Sequence, residues 1–247
     1  MSNQLKLLVN SYYDLESSRI VMGNRLKKKK DGTLQKVVNQ ENYAVGKIDF
    51  LEDLYTLFEM KEKELEKQIL NELKNYKIYT EFLKGVKGCG TLLSGILLSN
   101  FDIEKATTVS KFYAFAGICK GLIKGKKWDA KKKVFIETDD LIQRDKLTGG
   151  YCSPFNKNLR SKLLGVLAGS FLKCQSSYSI YYYNYKNRKE QEFKGNKEYT
   201  KMRIHRMSNR YMIKMFLSDF WLKWREIEGL PIRCSYAEEY LNKVHFA

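Results

Sequence analysis

Proline is nearly missing from this chain: Pro154 and Pro231 are the only two in 247 residues. Proline interrupts helices by removing an amide donor and clashing with the preceding turn, so its scarcity predicts a helix-dominated protein. Histidine is equally rare, represented by His205 and His245. The five cysteines, Cys89, Cys119, Cys152, Cys174 and Cys234, are widely spread and contain no C-x-x-C pair. Structural zinc needs four closely spaced thiolate or imidazole ligands. No metal site is therefore expected, nor any cofactor, and reduced, mostly buried thiols are the default reading. Long apolar runs are missing too, and nothing approaches the roughly 20 residues that cross a bilayer. The first residues, Met1 to Lys6, lack the charged-then-apolar order of a secretory signal. A cytoplasmic protein is expected, nucleoid-associated or encoded by a phage or plasmid in a host cell.

Acids are the last shortage. Asp and Glu number 28 against 45 Lys and Arg, a formal charge of +17. That excess favours a polyanionic partner, nucleic acid before a membrane surface. With 43% apolar residues the chain can still bury a sizeable core.

What is present centres on residues 83–97, Leu-Lys-Gly-Val-Lys-Gly-Cys-Gly-Thr-Leu-Leu-Ser-Gly-Ile-Leu. The stretch reads as helix, tight glycine turn, helix. The turn, Gly88-Cys89-Gly90, has the G-h-G form of helix-hairpin-helix DNA-binding elements. Gly88 and Gly90 can take the positive φ of a short interhelical turn. Amides from Gly88 to Thr91 would then meet a phosphate at the positive end of the next helix, with Lys84 and Lys87 alongside. Ser94 and Gly95 are small where the second helix of the hairpin must approach the first closely. No β-type run precedes the turn and no Gly-Lys-Ser/Thr ends it, so a nucleotide-binding loop does not fit. A plain helix–turn–helix connector with no ligand remains the alternative.

The N-terminal part, residues 1–78, reads as a long helical hairpin. Leu5, Leu8, Tyr12, Leu15, Arg19, Met22 and Leu26 alternate at spacings of three and four, with the helix ending at Lys27–Lys30 before Asp31-Gly32. A second helix over residues 41–75 carries Leu51, Leu54, Phe58, Leu65 and Ile69 on one stripe. Nine acids against five lysines put it at −4, which leaves +21 for the remaining residues. The N-terminal helices are therefore assigned to packing, either within the chain or in a homodimer, rather than to nucleic acid.

The second part, residues 79–247, is expected to hold the binding surface. Thr108 or Ser110 can cap a short helix closed by Gly117. Residues 126–136 read as a β-hairpin or extended loop. From Lys120 to Lys133 there are seven lysines against one acid, Asp129. Lys126, Lys127, Lys131, Lys132 and Lys133 thus form either a solvated tip or a phosphate-tracking arm. An apolar helix starts at Asn156. The tyrosines from Tyr178 to Tyr185 are either half-buried core or a stacking surface for unpaired bases. On the last long helix, residues 202–226, Arg203, Arg206, Arg210 and Lys214 recur on one side, while Trp221, Trp224 and Leu230 pack a C-terminal cap.

Taken in order, Leu83 to Gly90, Ser110 to Ile118, and Ser153 to Arg160 resemble the C-terminal half of DEDD-class insertion-sequence transposases of Piv/MooV type, the insertion-sequence one-ten family. The resemblance covers residues 80–175. The stretch from Arg203 to Leu230, with Gly229-Leu230-Pro231, looks like a shorter phage- or plasmid-borne branch. Full-length members carry a RuvC-like domain whose four acids hold divalent metal. Here the early acids Asp14, Glu16, Asp49, Glu52 and Asp53 lie on helical patterns instead, and two-metal chemistry needs carboxylates converging from rigid strands. The resemblance implies a serine nucleophile at Ser153, although Pro154 stands where the family has a basic residue. It also implies a charged neighbour at Arg160. The expected function is DNA binding by a mainly α, transposase-like protein of mobile-element origin. A minimal recombinase using Ser153 and an RNA-binding module are the alternatives.

Overall fold

The structure, a computed structural model, describes residues 3–28, 34–36 and 48–233. It is mostly helical, with two short antiparallel strand pairs. Helix α1 (Asn3–Arg25) leads into strand β1 (Leu26–Lys28), which pairs with β2 (Leu34–Lys36) so that Leu26 lies opposite Lys36. Leu26 therefore stands in a strand, beyond the end of the helical seam expected to include it. Helix α2 spans Ile48–Leu73 within the expected 41–75, and residues 41–47 lie outside the described residues.

Helices α1 and α2 run antiparallel along one another. At one end Gly23 meets the Tyr55 ring; in the middle Arg19 Nε donates to Glu62 Oε1 at 2.6 Å. At the other end Leu5, Val9, Ile69 and Leu73 are buried. The seam thus faces residues of its own chain. Helices α3 (Lys77–Glu81) and α4 (Thr91–Asn100) follow, separated by a 3-10 turn over Leu83–Gly85. A Cβ on Gly95 would lie 3.0 Å from Val9 and 3.2 Å from Ile69. Its missing side chain is what lets α4 press onto α1 and α2. The close approach at Gly95 is thus to α1 and α2, where the sequence pattern had pointed to the first helix of the hairpin. Residues of α1, α2 and α4 belong to one continuous core with those of the later helices, so the expected boundary at residue 78 does not interrupt the packing.

Helix α5 (Val109–Phe115) starts after Thr108, whose side chain makes no capping bond, and ends before Gly117 at φ +66°. Strands β3 (Leu122–Asp129) and β4 (Val134–Gln143) form an antiparallel hairpin longer than the residues read as one, with an irregularity between Lys124 and Lys126. A continuous helical segment then runs from Lys157 to Lys173. It consists of α6 (Lys157–Ser161), a π-helical stretch (Lys162–Leu167) and α7 (Ala168–Lys173). Asn156, from which the apolar helix was expected to run, caps it, its Oδ1 accepting the Leu159 amide at 3.0 Å.

Helices α8 (Ser179–Glu192) and α9 (Lys201–Ile227) complete the fold. Thr200 caps α9 through the Arg203 amide at 3.2 Å. The buried side of α9 supplies Met212, Phe216, Phe220 and Trp224. Around them Phe82, Phe101, Phe112 and Phe171 form an aromatic cluster, with Phe101 and Phe112 stacked at 4.0 Å. Each buried ring contributes about 1.5–3 kcal/mol relative to exposure. Arg225 is buried among main-chain acceptors: Nε donates to Pro231 O at 2.7 Å and Nη1 to Ile103 O at 3.0 Å. Trp221 Nε1 donates to Ala106 O at 2.7 Å. These bonds tie the end of α9 to the α4–α5 connection, and Trp221, Trp224 and Leu230 pack as expected.

Candidate nucleic-acid interface

The glycine turn before α4 divides its work between two residues. Gly88 has φ +94°, and a Cβ there would lie 3.1–3.2 Å from Phe171, Cys174 and Ser170. Its carbonyl accepts the Ser170 hydroxyl at 2.8 Å. Gly88 is thus wedged against α7. Gly90 differs from expectation: it sits at φ −72°, ψ −178°, an extended conformation open to any residue. It is the residue preceding α4, it is exposed, and nothing lies within 4 Å of its missing Cβ. The Cys89 amide bonds to Val86 O, so residues 86–89 form one reverse turn, and only its third residue, Gly88, takes a positive φ.

Cys89 also corrects the reading of the turn as a row of free amides. Its side chain is only 6% exposed, its amide donates to Val86 O at 3.0 Å, and its thiol lies 3.6 Å from Ser94 Oγ. Burial pushes the thiol up to about 11. The open groups are those at the start of α4. No side chain caps that helix and no acid stands in its first turn, so its positive end is uncompensated. Thr91 is partly exposed there, and Lys84 and Lys87 are exposed on the preceding turn without ion-pair partners among the described residues.

The basic row on α9 is divided. Arg203 and Arg206 are exposed; Arg203 reaches back to Glu198 O at 3.1 Å and lies 4.2 Å over the Tyr199 ring. Arg210 instead forms a 2.7 Å ion pair with the buried carboxylate of Asp145. Arg160 Nη1 donates to the main-chain oxygen of the same residue at 2.6 Å. Burial, reinforced by the Arg210 charge, lowers the Arg160 guanidinium from its ordinary value. Burial likewise lowers the Lys214 ammonium, with further push from Arg210 and Lys120. Arg160, Arg210 and Lys214 therefore gather around one acid as a partly buried basic cluster. Arg210 and Lys214 thus leave the row that the spacing along α9 draws from Arg203 and Arg206. Asp145, the residue that organises them, went unread in sequence. Nothing local marks it, because its partners lie 15 and 65 positions away.

The lysines of the β3–β4 hairpin are all exposed. Near its root, acids of β4 balance them: Lys124 pairs with Asp139 at 2.9 Å, Lys127 with Asp140 at 3.6 Å and Lys126 with Glu137 at 3.9 Å. Tyr151 fastens the root, donating to Asp140 Oδ2 at 2.6 Å beneath the Lys127 ammonium. Lys131, Lys132 and Lys133 at the turn have no acid partner among the described residues.

Ser153 is tied into its own loop. Its hydroxyl donates to Phe155 O at 2.7 Å, a local turn bond and not one to a base among the described residues. No group of three or more His, Cys, Asp or Glu able to hold a metal ion occurs among the described residues. The tyrosines of α8 mostly serve packing. Tyr178 and Tyr182 are buried, bonded to Asp219 at 2.9 Å and His205 Nδ1 at 2.7 Å, and Tyr185 stacks on Tyr211 at 4.7 Å. Cys119, Cys152 and Cys174 are partly exposed free thiols, and Cys234 lies outside the described residues. No helix among the described residues is long and apolar enough to cross a membrane. No protein-family model matches the chain, and no curated protein matches it.

Proposed function

We propose that this chain is a DNA-binding protein of mobile-element, transposase-like origin that holds the phosphate backbone largely without regard to sequence. In this reading residues 83–97 act as a helix-hairpin-helix element and the α1–α2 pair acts as its packing support. The observation that carries it is the open start of α4. An uncapped, exposed helix N-terminus follows a glycine with free space over it, and two unpaired lysines stand on the turn before it. A phosphate oxygen is the complementary group for that arrangement. The exposed Arg203, Arg206 and hairpin lysines add sequence-independent attraction.

Ser153 is assigned to the loop, because its hydroxyl is used by Phe155. The test is fluorescence anisotropy of duplex DNA binding as a function of salt. Lys84→Ala/Lys87→Ala should reduce the slope of log K against log salt by about 1.8, two phosphates at roughly 0.9 each. An unchanged slope, or no duplex binding at 50 mM salt, would overturn the reading. Preferential binding of structured RNA in the same assay would transfer it to RNA.

A further inference from the structure

The turn end of the β3–β4 hairpin combines features that the phosphate contacts do not account for. Trp128 and Phe135 face each other across the two strands, ring centroids 4.8 Å apart and planes at 61°. Trp128 is 52% exposed and Phe135 62%, whereas Trp221 and Trp224 in the core are 3% and 5%. Alternation along the strands puts Lys126 and Glu137 on the face of this aromatic pair, with Val134 and Ile136 exposed on the other. Tyr151 lies against the second face at Gly125 and Lys127, while Trp128 and Phe135 are left open on the first.

The charge of the hairpin is graded. The β4 acids answer the lysines toward its root, while Lys131, Lys132 and Lys133 leave the turn uncompensated. The turn is also internally bonded: Asp129 Oδ1 accepts the amides of Lys131 and Lys132 at 2.9 and 3.2 Å. Three unbalanced cations beside a tilted pair of open rings suit a ligand that alternates negative charge with flat apolar faces. An unpaired nucleic-acid strand has that composition. A duplex does not offer it, because its base faces are already stacked on one another.

We infer that this turn is a stacking platform for unpaired bases, with Trp128 and Phe135 covering base faces and Lys131 to Lys133 holding the neighbouring phosphates. The inference rests on the nucleic-acid reading above and names the strand state that this part of the surface selects.

The buried positions of Trp221 and Trp224 make tryptophan emission a direct readout of Trp128. Titrating the full chain with a twelve-nucleotide oligothymidylate should quench the exposed component of emission, and an equivalent duplex should quench it far less. Oligouridylate quenching to the same extent supports the same stacking, since ring faces do not read the sugar. Trp128→Leu keeps an apolar side chain at an exposed position and should weaken oligothymidylate binding about tenfold. Phe135→Leu should do so to a lesser degree. Lys131→Ala/Lys132→Ala/Lys133→Ala should flatten the salt dependence while leaving the quench at saturation.

If the protein binds duplex but the oligothymidylate neither binds nor quenches, the stacking inference falls and the DNA-binding reading stands. If no nucleic acid binds, both fall. If Trp128→Leu changes the mass measured by sedimentation, or anionic phosphatidylserine vesicles alone reproduce the quench, the rings have another occupant and the inference is overturned.

Discussion

Replacing each glycine of the Gly88-Cys89-Gly90 turn by alanine should give unequal results, although the two look alike in sequence. At Gly88 alanine meets two penalties. The backbone sits at φ +94°, where a Cβ costs about 1–2 kcal/mol against the neighbouring carbonyl. The new carbon would also lie 3.1 Å from the ring of Phe171, itself fully buried, and 3.2 Å from Cys174 and Ser170. Overpacking of that kind costs about 1–3 kcal/mol. Together these give about 2–5 kcal/mol, or a fall in melting temperature of roughly 5–15 °C for a chain of this size. At Gly90 the backbone is extended and nothing lies within 4 Å; alanine gains about 0.4–1 kcal/mol through the unfolded chain and loses a similar amount as a poorer N-cap, so stability should change by less than about 1 kcal/mol. Thermal and urea denaturation of the two variants side by side make the comparison. Equal melting temperatures would refute the claim that Gly88 alone is pinned against α7. The same geometry makes Gly90→Val a clean probe of binding. It removes no charge and strains no backbone, so lost duplex affinity in this folded variant would report obstruction at the start of α4. Retained affinity would make the turn a plain connector.

Two further outcomes follow from the buried groups. Asp145→Asn removes the partner of Arg210 and leaves a largely buried cation facing Arg160 and Lys214. It should cost about 2–4 kcal/mol, toward the lower end because Arg210 keeps some solvent. Adding Arg210→Met should recover part of that loss in urea denaturation, and purely additive losses would show that the pair is not coupled. The Cys89 thiol, pushed up to about 11 by burial, stays neutral in the folded protein while the unfolded thiol ionises near pH 9. Its contribution is therefore complete below pH 9 and is lost as pH rises toward 11. The difference is about 2–3 kcal/mol. Stability measured from pH 8 to 11 should fall less steeply in Cys89→Ala than in the parent, and parallel curves would contradict the assignment.

Local order was legible in this sequence wherever the interaction that makes it is local. Sparse proline and the three–four apolar spacing announced a mostly helical chain. The apolar run from Asn156 announced a helix, and Gly117 the end of α5, because a positive-φ stop is decided within one turn of helix. The lysine-rich segment, a hairpin or an extended loop by its sequence, folds as a hairpin whose turn is organised by Asp129 through amides two and three residues on. Tertiary packing decided the remainder. Which glycine of the pair is constrained depends on α7, 82 residues later in sequence, pressing Ser170 and Phe171 onto Gly88. Which arginines remain free on α9 depends on Asp145, 65 residues earlier, which withdraws Arg210 from a row that spacing alone draws as continuous. Periodicity assigns a residue to a face; only the folded chain determines what that face meets, because burial and charge pairing arise from contacts between elements distant in sequence.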